Sequence, residues 1–331
     1  MYAPDVGHLY AMFGAAAANL GAGDPTWLGL VDGPGGGKTE SLVPLLGIPE
    51  TRLVGTITPA ALLSGTSKKE RAAHAKGGLL KEIGDGGFGI LVIKDFGVIL
   101  SMHREARAEA LQALRDIYDG AYTRNVGSDG GQTLSWNGKV GLLFGATTAI
   151  DSHHVAMGTL GQRFLLYRLP RVNGDKLFRA ALDQTGSEKE VRAELMALSE
   201  GVIATAGNRE EPRPQEGDAE LIRPLAVFVA QARSAVERNG NSREIEFVHA
   251  PETPTRIGKA LIQLLLGSTA WACPGRRPSY RRQDRARFDG APATHRCDPS
   301  VSLWPDHNAG DRSHVRPSCR LAGVARRPGR L

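Results

Sequence analysis

No cysteine occurs before Cys273: the three in the chain, Cys273, Cys297 and Cys319, all lie in its C-terminal segment. The first 267 residues therefore make no disulfide, as expected of a protein from a reduced compartment. Without thiolates a metal site in that stretch would fall to histidines, but His103, His153 and His154 match no zinc spacing and read as solvated or capping side chains. No apolar run approaches the roughly 18 residues of a membrane span. Met1 to Gly23, rich in Ala and Gly, lacks the basic stretch that opens a secretory leader. A cytoplasmic location without membrane contact is the expectation.

Positive charge is also scarce where a nucleic-acid binder would show it. The formal net charge is +6, yet Ser268 to Leu331 holds 13 Arg, 5 Asp and neither Lys nor Glu, which leaves residues 1–267 with 28 basic and 30 acidic side chains. The body is therefore not a basic surface as a whole, and any nucleic-acid contact must be local. Hydrophobic periodicity stops at the same point. A shifted reading frame in a GC-rich gene would produce such a change; a natural disordered basic tail is the alternative. Cys273, Cys297, His307, His314 and Cys319 lack the paired C-x-x-C spacing of a zinc site.

What is present before residue 268 is an alternation of buried strands and helices. Val6 to Leu20 has helical character, Trp27 to Val31 reads as a short buried strand, and Glu40 to Leu46 as a helix opened by a Gly-rich turn. Arg52 to Thr58 alternates like a second strand, Ala72 to Ile83 is helical, and Ile90 to Ile93 is an apolar run of the kind found in central parallel strands. Helix Arg104 to Tyr118 is followed by a hairpin, Tyr122 to Asn137, turning at Gly127-Ser128-Asp129-Gly130-Gly131. Further strands are Val140 to Phe144 and Phe164 to Leu169, with His153 to Leu160 between them. The pattern predicts an α/β fold with a parallel five-stranded sheet. Beyond Pro170 the strands are expected to stop: Glu188 to Ile203, Ala219 to Asn239 and Thr255 to Leu266 read as helices, with a Pro/Glu-rich linker from Glu210 to Gly217. The expected organisation is an N-terminal helix (1–23), an α/β core (24–170), a helical domain (171–267) and an irregular tail (268–331).

Asp32-Gly33-Pro34-Gly35-Gly36-Gly37-Lys38-Thr39 lies between the first strand and the helix after it. It fits G-x-x-x-x-G-K-[ST] except that Asp32 stands at the leading glycine. Such a loop aims backbone N–H groups into a concavity at a helix N-terminus, Lys38 reaches the β/γ-phosphates of a nucleotide, and the Thr39 hydroxyl holds Mg²⁺. Nucleotide hydrolysis also needs an acid at a strand end, and Asp95, closing the most apolar strand, is the candidate. Because Lys94 precedes it and Phe96 follows it, Asp95 either holds the metal or serves as the base. Thr147 or Thr148, at the end of the next strand, is placed to orient the attacking water. Arg163, just before the fifth strand, is placed to reach a neighbouring subunit's γ-phosphate.

Together these pieces resemble the AAA+ ATPases, and within them the branch with a hairpin before the sensor strand, which includes the minichromosome-maintenance helicases and helicase-like proteins of phages and mobile elements. Gly33 to Thr39 is similar to that branch's Pro-containing phosphate loop, and Gly89-Ile90-Leu91-Val92-Ile93-Lys94-Asp95-Phe96 resembles its strand ending in Asp-Glu-Phe, with Asp95 at the place of the catalytic Glu. The resemblance implies ATP and Mg²⁺ as cofactors, with the nucleotide contacts at Gly33, Pro34, Gly35, Gly36, Gly37, Lys38, Thr39 and Glu40. It puts Thr147 or Thr148 at the sensor-1 position, Arg163 at the arginine finger and Arg256 at the lid arginine called sensor 2. It also implies a homo-oligomeric ring, a hexamer, with the Tyr122 to Asn137 hairpin and its Arg124 contacting DNA in the pore. The similarity spans Asp24 to Leu266, and the expected activity is that of an ATP-dependent, helicase-like motor. Two alternatives stand beside it: an ATPase that remodels a protein partner, and a nucleotide switch that does not hydrolyse.

Overall fold

The computed structural model describes residues 6–65, 77–127, 131–153, 161, 163–207, 212–234, 236–239, 242, 244–248 and 250–272. All of them belong to one compact unit, Met1–Asp289. In chain order the elements are α1 (Gly7–Leu20), β1 (Trp27–Val31), α2 (Lys38–Leu42), β2 (Thr51–Leu53), α3 (Pro59–Leu62), α4 (Leu79–Ile83), β3 (Gly87–Ile93), α5 (Gly97–Leu100), α6 (Arg104–Tyr118), β4 (Ala121–Val126), β5 (Gln132–Ala146), β6 (Phe164–Arg168), α7 (Gly174–Asp183), α8 (Glu188–Gly207), α9 (Asp218–Ala232), β7 (Val236–Arg238), β8 (Ile245–Val248) and α10 (Thr255–Ala272). Two 3₁₀ turns, Val43–Gly47 and Thr148–His153, continue α2 and follow β5.

The central sheet has the order β2-β3-β5-β1-β6, every pair on that path parallel, so β5 lies between the loop-bearing strand and the strand that ends in Asp95. Successive side chains of β1 serve opposite faces. Trp27 and Val31 join Leu91, Ile93, Leu142, Phe144 and Phe164 under α6, whereas Leu28 and Leu30 join Ile90, Val92, Leu143 and Leu165 under α1, α8 and α10. The result is a sheet buried between two helical layers, which explains why its strands read as continuous apolar runs. Gly29 sits mid-strand because the Phe144 ring fills its side-chain space, 2.4 Å from where a Cβ would stand. At the other end of α1, buried Asn19 donates to the Ala15 and Thr26 carbonyls and accepts from the Thr26 amide, tying helix to strand.

Trp27 is, with Trp136, one of the two largest side chains fully enclosed in this layer. Its indole donates to the Val140 carbonyl at 2.7 Å, and its ring meets Tyr118 edge-on and Phe164 at a tilt. Trp27→Ala is expected to lower the unfolding free energy by about 3–5 kcal/mol, the usual range for emptying a buried aromatic site. Urea denaturation checks this; a loss below about 1 kcal/mol would mean that the layer collapses into the space.

Several expectations are corrected. The second arm of the hairpin and the strand after it are one 15-residue strand: β5 pairs antiparallel with β4 through Asn137 and then enters the parallel sheet. The change of partner occurs at Gly138, whose φ of +153° and close approach to the Gly87 carbonyl exclude a side chain. The second strand is only three residues long. Strands do not stop at Pro170, since β7 and β8 form a separate antiparallel pair; Val236 to Arg238 falls inside the stretch expected to be helical. Helix α7 has no counterpart in the sequence reading.

The last helix does not end at Leu266. It continues through Ala272, with Gly267 pressed on Gly14 and Trp271 stacked on Tyr10 at 5.0 Å. Residues 273–331, most of the expected tail, lie outside the described residues, as do 72–76 of the expected helix Ala72 to Ile83, whose end is α4, most of the stretch His153 to Leu160, the hairpin tip 128–130, and Gln162.

Candidate functional site

Asp32 to Gly37 leaves the C-terminal end of β1 and turns directly into α2. Gly35 and Gly37 take φ of +77° and +82°, left-handed values that admit glycine readily, and nothing lies within 4 Å of where a Cβ would stand at either position or at Gly33. That open space over consecutive backbone amides is what a phosphate chain needs, so the loop fits a nucleotide. Gly36 differs: an Asp32 carboxylate oxygen lies 1.7 Å from its Cβ position, so Asp32 folds across the loop where the motif has glycine. The other Asp32 oxygen accepts from the Gly33 amide. Lys38 Nζ donates to the Asp32 and Gly33 carbonyls at 3.0 and 2.6 Å, which draws the ammonium back along the loop. Thr39 and Glu40 follow in the first turn of α2.

Three chain segments converge beside Lys38. A Cβ on Gly145 would stand 2.6 Å from the Lys94 carbonyl, 3.4 Å from Leu42 Cδ1 and 3.6 Å from Lys38 Cβ. The Phe96 amide donates to the Gly145 carbonyl, and the Asp32 amide to Ala146, so the ends of β1, β3 and β5 are joined at one edge. Exposed Asp95 is therefore two strands from the loop, on the order of 10 Å across the sheet. One of its oxygens accepts from the amide of Gly97, the first residue of α5, at 2.8 Å. Thr147, half-buried, follows Ala146 at this edge, whereas exposed Thr148 opens the 3₁₀ turn. Lys38, Thr39, Asp95 and Thr147 are thus brought to one edge. Among the described residues no group of three or more His, Cys, Asp or Glu could hold a metal. A magnesium ion at Thr39 and Asp95 would take most of its ligands from phosphate and water, its usual habit.

On the other side of the loop is a cavity of about 290 Å³ lined by Gly36, Gly37 and Glu40, by Leu169 and Pro170, and by apolar faces of α7 and α8 including Leu177, Val191 and Leu195. His8, 4% exposed, closes its α1 side. Arg192 of α8 reaches across it and donates to both Glu40 oxygens, at 2.9 and 2.6 Å. Those hydrogen bonds hold the Glu40 carboxyl below the usual carboxylate range, with the Lys94 charge adding in the same direction. The loop side of this cavity, Gly36, Gly37 and Glu40, was legible in the sequence; its other walls come from residue 8 and residues 169–195, remote in sequence, and include helix α7.

Arg163 and Arg256 lie elsewhere. Phe164 pairs with Trp27 at the start of β1, so Arg163 stands at the opposite edge of the sheet from its own phosphate loop, about 16 Å along the strand. It is 8% exposed, donates to both oxygens of Asp119 at 3.0 and 2.8 Å, and lies over the Tyr118 ring. Burial, with help from the Asp24 charge, pushes the Tyr118 hydroxyl up to about 12. Arg256 belongs to the same cluster, ion-paired with Glu252 and close to Gly161. Arg256, expected at the lid position called sensor 2, stands at this edge because α10 runs antiparallel to α1, with Trp271 on Tyr10 and Gly267 on Gly14. Arg233, missed in the sequence, donates to the Phe164 carbonyl there at 2.7 Å and fastens the helical layer to β6. Arg124 is half-buried on β4 and donates to the Leu63 carbonyl.

The fold and edge define a P-loop α/β protein: a phosphate loop between strand and helix, with an acid at the end of a parallel strand in the same sheet. No protein-family model and no curated protein matches the sequence. Among solved structures, the chain is similar to NtrX from Brucella abortus in complex with ADP, with 15% identity and a TM-score of 0.33 over 70% of this chain and 61% of that one. It is also similar to the apo A form of the NrS-1 C-terminal region, with 10% identity and a TM-score of 0.25 over 59% of this chain and 42% of that one. The chain thus spans less than two thirds of either protein. Likenesses this distant locate no site, and the fold assignment rests on the strand order and the loop.

Proposed function

We propose that the chain is an ATPase of the AAA+ class that hydrolyses ATP with Mg²⁺ and works as a homo-oligomeric ring on DNA. The convergence of the phosphate loop, Asp95 and Thr147 on one sheet edge carries the ATPase reading. Lys38 neutralises charge on the transferred phosphoryl group and Thr147 orients the attacking water. Asp95 receives the proton of that water or holds the metal, and Thr39 and Asp95 are the residues that would hold Mg²⁺, which would supply neutralising charge at the phosphates. The ring reading is supported by Arg163 and Arg256, which share an edge too far from their own loop to serve it and suited to a neighbour's γ-phosphate once Arg163 leaves Asp119. DNA as the substrate rests on the β4–β5 hairpin.

A second reading, remodelling of a protein partner, is favoured by one observation. Leu221, Leu225 and Phe228 form an apolar stripe along α9 and are 70%, 48% and 66% exposed, on a body with no net positive charge.

Steady-state ATP hydrolysis with and without single-stranded DNA separates the two. A severalfold rise with DNA is expected. An active, assembled protein whose turnover ignores DNA would sink the DNA assignment and leave the ATPase one standing.

A further inference from the structure

We infer that Arg192 is a ligand for the inner end of a nucleotide's phosphate chain, held ready by Glu40 until the nucleotide takes its place; this rests on the nucleotide reading of the loop. Arg192 is not at the catalytic edge. It enters from α8, on the cavity side of the loop, opposite to Thr147 and Asp95, and lines the same space as Gly36 and Gly37. A nucleotide whose terminal phosphate points to Lys38 and Asp95 lays its sugar-side phosphate towards this space, with its base against Leu169, Pro170, Val191 and Leu195.

The pair with Glu40 is bidentate but weakly protected, each side chain being 44% exposed. Ion pairs in such surroundings add little stability and exchange readily. Two oxygens of a phosphate accept a guanidinium fork as the two oxygens of a carboxylate do, so an inner phosphate can take the place of Glu40 on Arg192. Glu40 is thereby a competitor as well as an anchor. It sets Arg192 at the right height over the loop, and it must be displaced when phosphate arrives.

Calorimetric titration of ADP and of a non-hydrolysable ATP analogue tests this on the full chain and on the variants Arg192→Ala, Arg192→Lys, Glu40→Gln, the double variant Glu40→Gln/Arg192→Ala, and Lys38→Ala. Arg192→Ala is expected to weaken both ligands about tenfold and equally, since the inner phosphate is common to them, and Arg192→Lys to recover only part. Glu40→Gln should tighten both, and the tightening should vanish in the double variant. Hydrolysis by Arg192→Ala should show a raised KM with kcat little changed. Unchanged affinity in Arg192→Ala would overturn the inference. So would a Glu40→Gln variant as weak as Arg192→Ala, which would make the pair a structural clasp, or a defect confined to the ATP analogue, which would move Arg192 to the terminal phosphate. Wild-type protein that binds neither ligand, or binds equally after Lys38→Ala, overturns the nucleotide reading itself and this inference with it.

Discussion

Lys38→Ala is expected to lower ATP turnover by roughly 10²–10³-fold, the usual consequence of removing one preorganised donor from developing transition-state charge. The side chain acts twice. Its ammonium is the cation that the loop motif brings to the outer phosphates. It also bridges the Asp32 and Gly33 carbonyls, holding the start of the loop to its end, so that the alanine variant loses cradle geometry as well as charge. Burial elsewhere is untouched: Lys38 belongs to neither core cluster, and the thermal midpoint should move little. Steady-state hydrolysis beside a melting curve makes the measurement. Turnover that survives in a folded Lys38→Ala protein would place the chemistry outside this loop.

The loop was legible in the sequence because its chemistry is local: three glycines, a Lys and a Thr, bounded by a buried strand and a helix start, fix their own geometry. The strands next to it were legible for a related reason. A central parallel strand is apolar on both faces, so Ile90 to Ile93 and Val140 to Phe144 announce themselves without reference to neighbours. What failed was whatever depends on a partner remote in sequence. The pivot at Gly138 is set by the approach of the Gly87 carbonyl, and no residue near 138 signals it. Arg256 opens a helix as the resemblance implies, but where that helix points is decided by Gly14 and Gly267 closing on each other. Exposed β8 carries Ile245, Phe247 and Val248, each 55% exposed; a lone two-stranded pair buries too little to impose the alternation by which strands are recognised. The clasp between Glu40 and Arg192 spans 152 positions, and a single sequence offers no means of pairing them.

Asp95→Asn is the change expected to separate binding from chemistry. The substitution keeps an oxygen that accepts from the Gly97 amide, so the turn into α5 and the edge around it should persist and ADP affinity should stay within about twofold. Only the charge and the proton-accepting lone pair go. If Asp95 is the base, kcat falls by about 10²–10⁴-fold, the range of general-base catalysis, and the magnesium concentration for half-maximal rate is unchanged. If Asp95 is the metal ligand, that magnesium requirement rises and excess metal restores part of the rate. Lys94 weighs on the outcome. It is the exposed neighbour of Asp95, and its charge acts on Glu40, in the first turn of α2, where a second cation competes electrostatically with a divalent ion. That argues for Asp95 as the base, with the metal held by Thr39, phosphate and water, and the magnesium titration of Asp95→Asn is then flat. Turnover unaffected by the substitution would remove Asp95 from hydrolysis under either role.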